Sequence, residues 1–185
     1  MGKPMGKAKP KKAHPPGTPV WVIDRAACPC GSGSPFTACC GPFIAGTASP
    51  PTPEALMRSR FAAYVKGTPA AVAYIVATTH PAGAAPTLPA DVRATVSRIA
   101  WRGLTVLPGP ADTDGKLAPG GATLADPDKG VVAFRATYKV TGQAGYRADG
   151  GPDTGEMVET SVFVREGGKW LYLSGEQTLN GGVRA

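Results

Sequence analysis

All four cysteines of the chain fall within thirteen residues, as Cys28-Pro-Cys30 and Cys39-Cys40 in the stretch CPCGSGSPFTACCG, and none occurs elsewhere in its 185 residues. A segment that short cannot bury a core of its own, so something other than apolar packing has to hold it. Three accounts compete: a bound metal, a disulfide staple, or incidental packing. The spacing is Cys-x-Cys, eight residues, then Cys-Cys. Two close pairs on one short loop can offer four soft thiolates at the corners of a tetrahedron, the geometry zinc prefers. Gly31 and Gly33 permit tight turns that aim backbone N–H groups at the sulfurs, and Ser32 adds a hydroxyl donor. The alternatives are a bond from Cys28 to Cys39 or Cys40, a vicinal Cys39–Cys40 bond, or redox chemistry. Cys-x-Cys is not the thioredoxin-type Cys-x-x-Cys spacing. Zinc held by Cys28, Cys30, Cys39 and Cys40 is the favoured reading. Four protein ligands leave no open position for a catalytic water, which makes the site structural.

The rest of the chain is apolar enough for a globular core, at 42% hydrophobic residues. No run of about 18 apolar residues suggests a membrane span. The start, MGKPMGKAKPKKAHPPG, has no apolar h-region, and Gly6 stands where a myristoylation signal wants Ser or Thr. A cytoplasmic protein is expected, and there thiols stay reduced, which weakens the disulfide account. The formal charge is +7, and Lys3, Lys7, Lys9, Lys11 and Lys12 carry five of it, leaving +7 − 5 = +2 for the remainder. Residues 1–20 therefore read as a disordered basic tail. Such a tail can touch nucleic acid or the ribosome through phosphates, although a merely solubilising role is the plainer account.

Beyond the cysteines the pattern is helical, then alternating. TPEALMRSRFAAYVKG predicts a helix capped by Thr52 and Pro53 and ended by Gly67, with Met57, Phe61, Tyr64 and Val65 on one face and Arg58 and Arg60 off it. Thr68-Pro69 opens a second helix, and LPADVRATVSRIA gives a third with Val92, Val96 and Ile99 on one side. WRGLTVL, GVVAFRATYKVTG, EMVETSVFVREG and KWLYLSGEQ read as strands, the last two joined by a Gly167-Gly168 hairpin. Residues 108–129 and 142–155 are loops rich in Gly, Pro and Asp. The expected class is α+β, three helices packed on one face of a curved antiparallel sheet.

CPCGSGSPFTACCGPFIAG resembles the SEC-C motif, the zinc-binding segment at the C-terminus of the preprotein translocase ATPase. That resemblance implies an interaction module docking a protein or ribosomal partner. The ordered series LMRSRFAAY, THP, W-x-x-L, E-x-S-x-F and W-x-Y resembles YchJ-like proteins, which join a SEC-C motif to a nuclear transport factor 2-like cone. The implied organisation is a basic tail over 1–20, a SEC-C motif over 26–46 and the cone domain over 50–178. Relatives often carry a second SEC-C motif, but this chain has no cysteine after Cys40, and it has Thr160 and Ser174 where relatives often have Arg and Asp.

The cone is also a scaffold for enzymes, so an isomerase, dehydratase or hydrolase working in its pocket stands as an alternative. The pocket candidates are Tyr64, His80, Trp101, Tyr138, Glu159 and Phe163. An acid/base pair would be Glu159 with His80, although a histidine before a proline at a helix end is more often a cap. Glu159 among apolar neighbours suggests either a pocket acid or the partner of a buried Arg58 or Arg60. Trp101, Trp170, Phe61 and Tyr64 suit a core better than a ligand box. GSGSPF is flanked by cysteines and lacks a following Lys-Ser/Thr, so it is no phosphate loop, and neither a nucleophile elbow nor a His-Glu-x-x-His motif occurs.

Overall fold

The computed structural model describes residues 27–108, 126–141 and 154–180. The lysine-rich tail and most of the two Gly/Pro/Asp-rich loops lie outside the described residues. A one-turn helix α1 (Gly41–Ile44) follows the cysteine loop, then α2 (Pro53–Lys66), α3 (Pro69–Ala77) and α4 (Leu88–Arg98). Four strands complete the order: β1 (Ile99–Val106), β2 (Lys129–Val140), β3 (Thr154–Glu166) and β4 (Lys169–Asn180). They form one antiparallel meander in the order β1-β2-β3-β4. The three expected helices and four strands are all present, and α1 is the addition.

Local chemistry sets the helix ends. The Thr52 side chain accepts from the Ala55 N–H, Thr68 does the same for Ala71, and prolines occupy the first turns where no N–H is needed. The core lies between the helices and the inner sheet face: Leu56, Met57 and Phe61 of α2 and Ile75 of α3 meet Val132, Phe134, Ala136 and Tyr138 of β2 and Phe163 of β3. Val92 is buried, while Val96 and Ile99 pack partly buried against this core. Two expectations for α2 need correcting. Val65 is exposed, because the stripe that packs is Leu56, Met57, Phe61 and Tyr64. Arg60, expected off the stripe, is buried at 8% exposure.

Two register shifts bend the sheet. Arg102 is an extra residue in β1, between the pairs Trp101–Tyr138 and Gly103–Thr137. Leu173 is extra in β4, between the partners of Val162 and Phe163. Such bulges curl a sheet and re-aim its side chains, and here they help form a concave face under the helices. The segment after α3 closes one side: the His80 N–H donates to the Tyr172 carbonyl at 2.7 Å and the Tyr172 N–H to the Thr78 carbonyl at 2.9 Å.

Candidate functional site

Two sites emerge, one on each side of α2. In the first, Cys28, Cys30, Cys39 and Cys40 turn their sulfurs inward, all within 4.8 Å of one another. All four are free thiols, so none of the alternative disulfides is present. The Cys30–Cys39 and Cys39–Cys40 sulfurs are 3.5 and 3.8 Å apart. A tetrahedral ion with metal–sulfur bonds of about 2.3 Å wants sulfurs about 3.8 Å apart, so the donor set fits a thiophilic metal ion. Gly31 and Gly33 turn the loop at φ 78° and 77°, in the left-handed region, and the Cys28 N–H closes it on the Ser34 carbonyl at 2.7 Å. The Ser32 hydroxyl sits 3.2 Å from the Cys39 sulfur.

Burial and mutual contact split the thiols electrostatically. A hydrogen bond from Cys40, helped by Ser32, lowers Cys30 to about 4, against the push of burial. The same Cys30 contact, followed by burial, raises Cys40, and burial raises Cys28. Cys28, Cys30 and Cys40 form a small second core with Ala62 of α2, flanked by Phe36, Cys39 and Ile44. Arg58 ties the loop to that helix, donating from Nη1 to the Cys30 carbonyl at 2.8 Å and from Nε to Glu54 at 2.7 Å.

The second site is a cavity of about 410 Å³ between the helices and the concave sheet. Five of the six pocket candidates, Tyr64, Trp101, Tyr138, Glu159 and Phe163, line it. Trp101 is the centre of an aromatic wall, edge-on to Phe61, Tyr64 and Tyr138 at centroid distances of 6.1, 6.4 and 5.6 Å. Its buried Nε1 has no hydrogen-bond partner among the described residues. Trp170 belongs to the core instead, donating to the Pro51 carbonyl at 3.2 Å.

His80 is not among the lining residues. Its Nδ1 accepts from the Ala82 N–H at 3.1 Å, capping the 3-10 turn Pro81–Gly83, and its Nε2 lies 2.9 Å from a Glu166 oxygen. The ring is engaged at the end of β3, away from the cavity, so the geometry does not bring it to Glu159. Glu159 is buried at 5% exposure. Ser161 donates to its Oε1 at 2.5 Å and Gln177 to its Oε2 at 2.6 Å. The expected Glu–Arg pair does not form. Arg58 faces the cysteine loop, while Arg60 donates from Nη1 to the Ile75 carbonyl and the Thr78 and Thr79 hydroxyls, at 2.8, 2.8 and 3.2 Å. Those acceptors sit at the C-terminal end of α3, where a cation is favoured. The guanidinium also covers the Tyr172 ring, 4.7 Å from its centroid. Burial lowers the Arg60 pKa, and burial with the Glu159 charge raises that of the Tyr172 phenol.

Sequence reasoning missed Tyr172, Gln177 and Ser161 as cavity groups and treated Arg60 only as a partner for Glu159. The Thr78-Thr79 pair at the end of α3 was the available signal for Arg60.

Comparison with known proteins agrees with this architecture. Residues 52–175 match the family described as "YchJ, middle NTF2-like domain". A UPF0225 protein of Chromobacterium violaceum is 40% identical over 152 residues, covering 82% of this chain and 93% of the relative. A UPF0225 protein of Ralstonia nicotianae is 38% identical over 164 residues, covering 83% and 92%. Among solved structures, a SEC-C motif containing protein from Rhodopseudomonas palustris is 31% identical with a TM-score of 0.60, covering 80% of this chain and 96% of its own. A second, from Psychrobacter arcticus, is 22% identical with a TM-score of 0.56, covering 83% of each chain, and is similar in fold.

Proposed function

The chain belongs to the YchJ-like family, and on that premise we propose that it is a zinc-stabilised interaction protein, its cysteine module docking a protein or ribosomal partner and its cone holding a small ligand or peptide. The observation that carries the metal half is the convergence of four thiol sulfurs within 4.8 Å at separations suited to a tetrahedral ion. All four positions are protein ligands, so the ion would act on structure. The carrying observation for the cone is a cavity with mostly apolar walls and a few converging polar groups. The deciding experiment is elemental analysis of protein purified without added metal, with a thiol count. One zinc per chain with four protected thiols supports the reading. No metal, with disulfides or freely reactive thiols, sinks it. Substituting Cys28 by Ser should then disrupt partner capture while cavity substitutions leave it intact.

A second reading, an isomerase, dehydratase or hydrolase in the cone, is favoured by the buried Glu159 carboxyl beside the Tyr172 phenol. It predicts that Glu159→Gln abolishes a turnover without unfolding the chain. A nucleic-acid role for Lys3, Lys7, Lys9, Lys11 and Lys12 rests on residues outside those described. Its signature would be salt-sensitive binding that disappears with residues 1–13.

A further inference from the structure

Arg60 and Glu159 are 8% and 5% exposed and line the same cavity, yet no ion pair joins them. Opposite charges buried side by side ordinarily neutralise one another, because each left alone forfeits its hydration. Here each is steadied separately by neutral groups, and each retains bonding capacity. The Arg60 bonds all leave from Nη1. A guanidinium has five N–H donors, so those of Nε and Nη2 have no protein acceptor among the described residues. Glu159 accepts from Ser161 and Gln177, and the Tyr172 phenol also bonds it, while a carboxylate has room for about four. Phe61, Tyr64, Trp101 and Tyr138 line the same cavity.

We propose that the cavity takes a small zwitterion with an apolar or aromatic body, such as an amino acid, its anionic end at Arg60 and its cationic end at Glu159. Planar, two-pronged donation suits Arg60 to a carboxylate. The aromatic wall takes the body and adds ring-face attraction for a nearby ammonium. A singly charged ligand would meet one favourable and one repulsive end. This rests on the reading of the cone as a ligand-holding domain.

The test is calorimetric titration of the full chain with two matched series, built on a phenyl and on an isobutyl body. Each series comprises the amino acid (L-phenylalanine, L-leucine), the amine without carboxylate, the acid without amine, and the uncharged alcohol. At least one amino acid is expected to bind about tenfold more tightly than its amine and its acid. Glu159→Gln should erase that preference over the acid, with circular dichroism reporting the fold of the variant. If that variant does not fold, the wild-type series decides alone. Equal binding of the uncharged alcohol and the amino acid would overturn the zwitterion proposal and leave the ligand-holding cone standing. No binding by any member of either series would likewise overturn the zwitterion proposal.

Discussion

Gly175 sits where two polar groups of the cavity converge. A Cβ built on it would come within 2.5 Å of Glu159 Oε1 and 2.7 Å of the Tyr172 hydroxyl. Gly175→Ala must therefore displace both, and we expect a loss of about 1–3 kcal/mol in urea unfolding, as for other overpacked interiors. The phenols set a second residue-scale expectation. Tyr74 is buried, bonds the Ser59 hydroxyl at 2.6 Å, and has its pKa pushed up by burial to about 12. Its folded-state pKa lies above the unfolded value of about 10, so the folded protein holds the proton longer. Stability from this group is intact below pH of about 10 and falls as the pH rises toward 12, by on the order of 2–3 kcal/mol. Urea midpoints across that window test it, and Tyr74→Phe should flatten the decline.

At the scale of elements, α2 carries the cysteine loop through one side chain. Arg58→Met removes the donor to the Cys30 carbonyl, and we expect bound metal to pass to a chromogenic chelator about tenfold faster, the effect of losing a group that orients a ligand. Glu54→Gln, which leaves that donor in place, should change the rate much less. The strands show where sequence reading ends. The alternation of β2 and β3 was legible: Val132, Phe134, Ala136 and Tyr138 face inward, as do Met157, Glu159, Ser161 and Phe163. In β4 the extra residue Leu173 reverses the parity, so Gln177 and Leu179 turn inward where unbroken alternation from Trp170 and Tyr172 would send them out. Gln177 was hidden for that reason, and Arg102 has the same effect in β1. The cap residues, by contrast, were plain, because Thr-Pro starts and the Gly67 stop act within a few residues of themselves. The cysteine set was plain as well, since spacing alone confines four thiols to one loop. Arg60 was not, because its acceptors lie 15 to 19 residues away, at and just past the end of α3.

At the scale of the whole molecule, the described residues form two cores of unequal kind. The larger is apolar, spanning the helices and sheet, while the smaller consists of three buried cysteines and Ala62. Sulfurs packed that closely are a weak substitute for a hydrophobic interior, so on the proposed reading the small core depends on a bound metal. Metal removal by chelator is expected to open residues 28–46 and leave the sheet folded. Hydrogen exchange checks this: amides of the cysteine loop should lose protection while those of Val132 and Ser161, fully buried in the sheet, keep theirs. Global unfolding on chelation would show that the two cores are a single cooperative unit.

Within five consecutive residues of α2, Arg58 serves the cysteine loop, Ser59 anchors a core phenol, Arg60 and Phe61 line the cavity, and Ala62 packs beneath the sulfurs. The arrangement is frugal, and it ties the histories of two chemistries together. A gene encoding this helix cannot drift at one end of that run to reshape the cavity without every intermediate also keeping its cysteine loop seated. Change in the cavity is therefore freer from the sheet side, where no described residue both lines the cavity and belongs to the cysteine core.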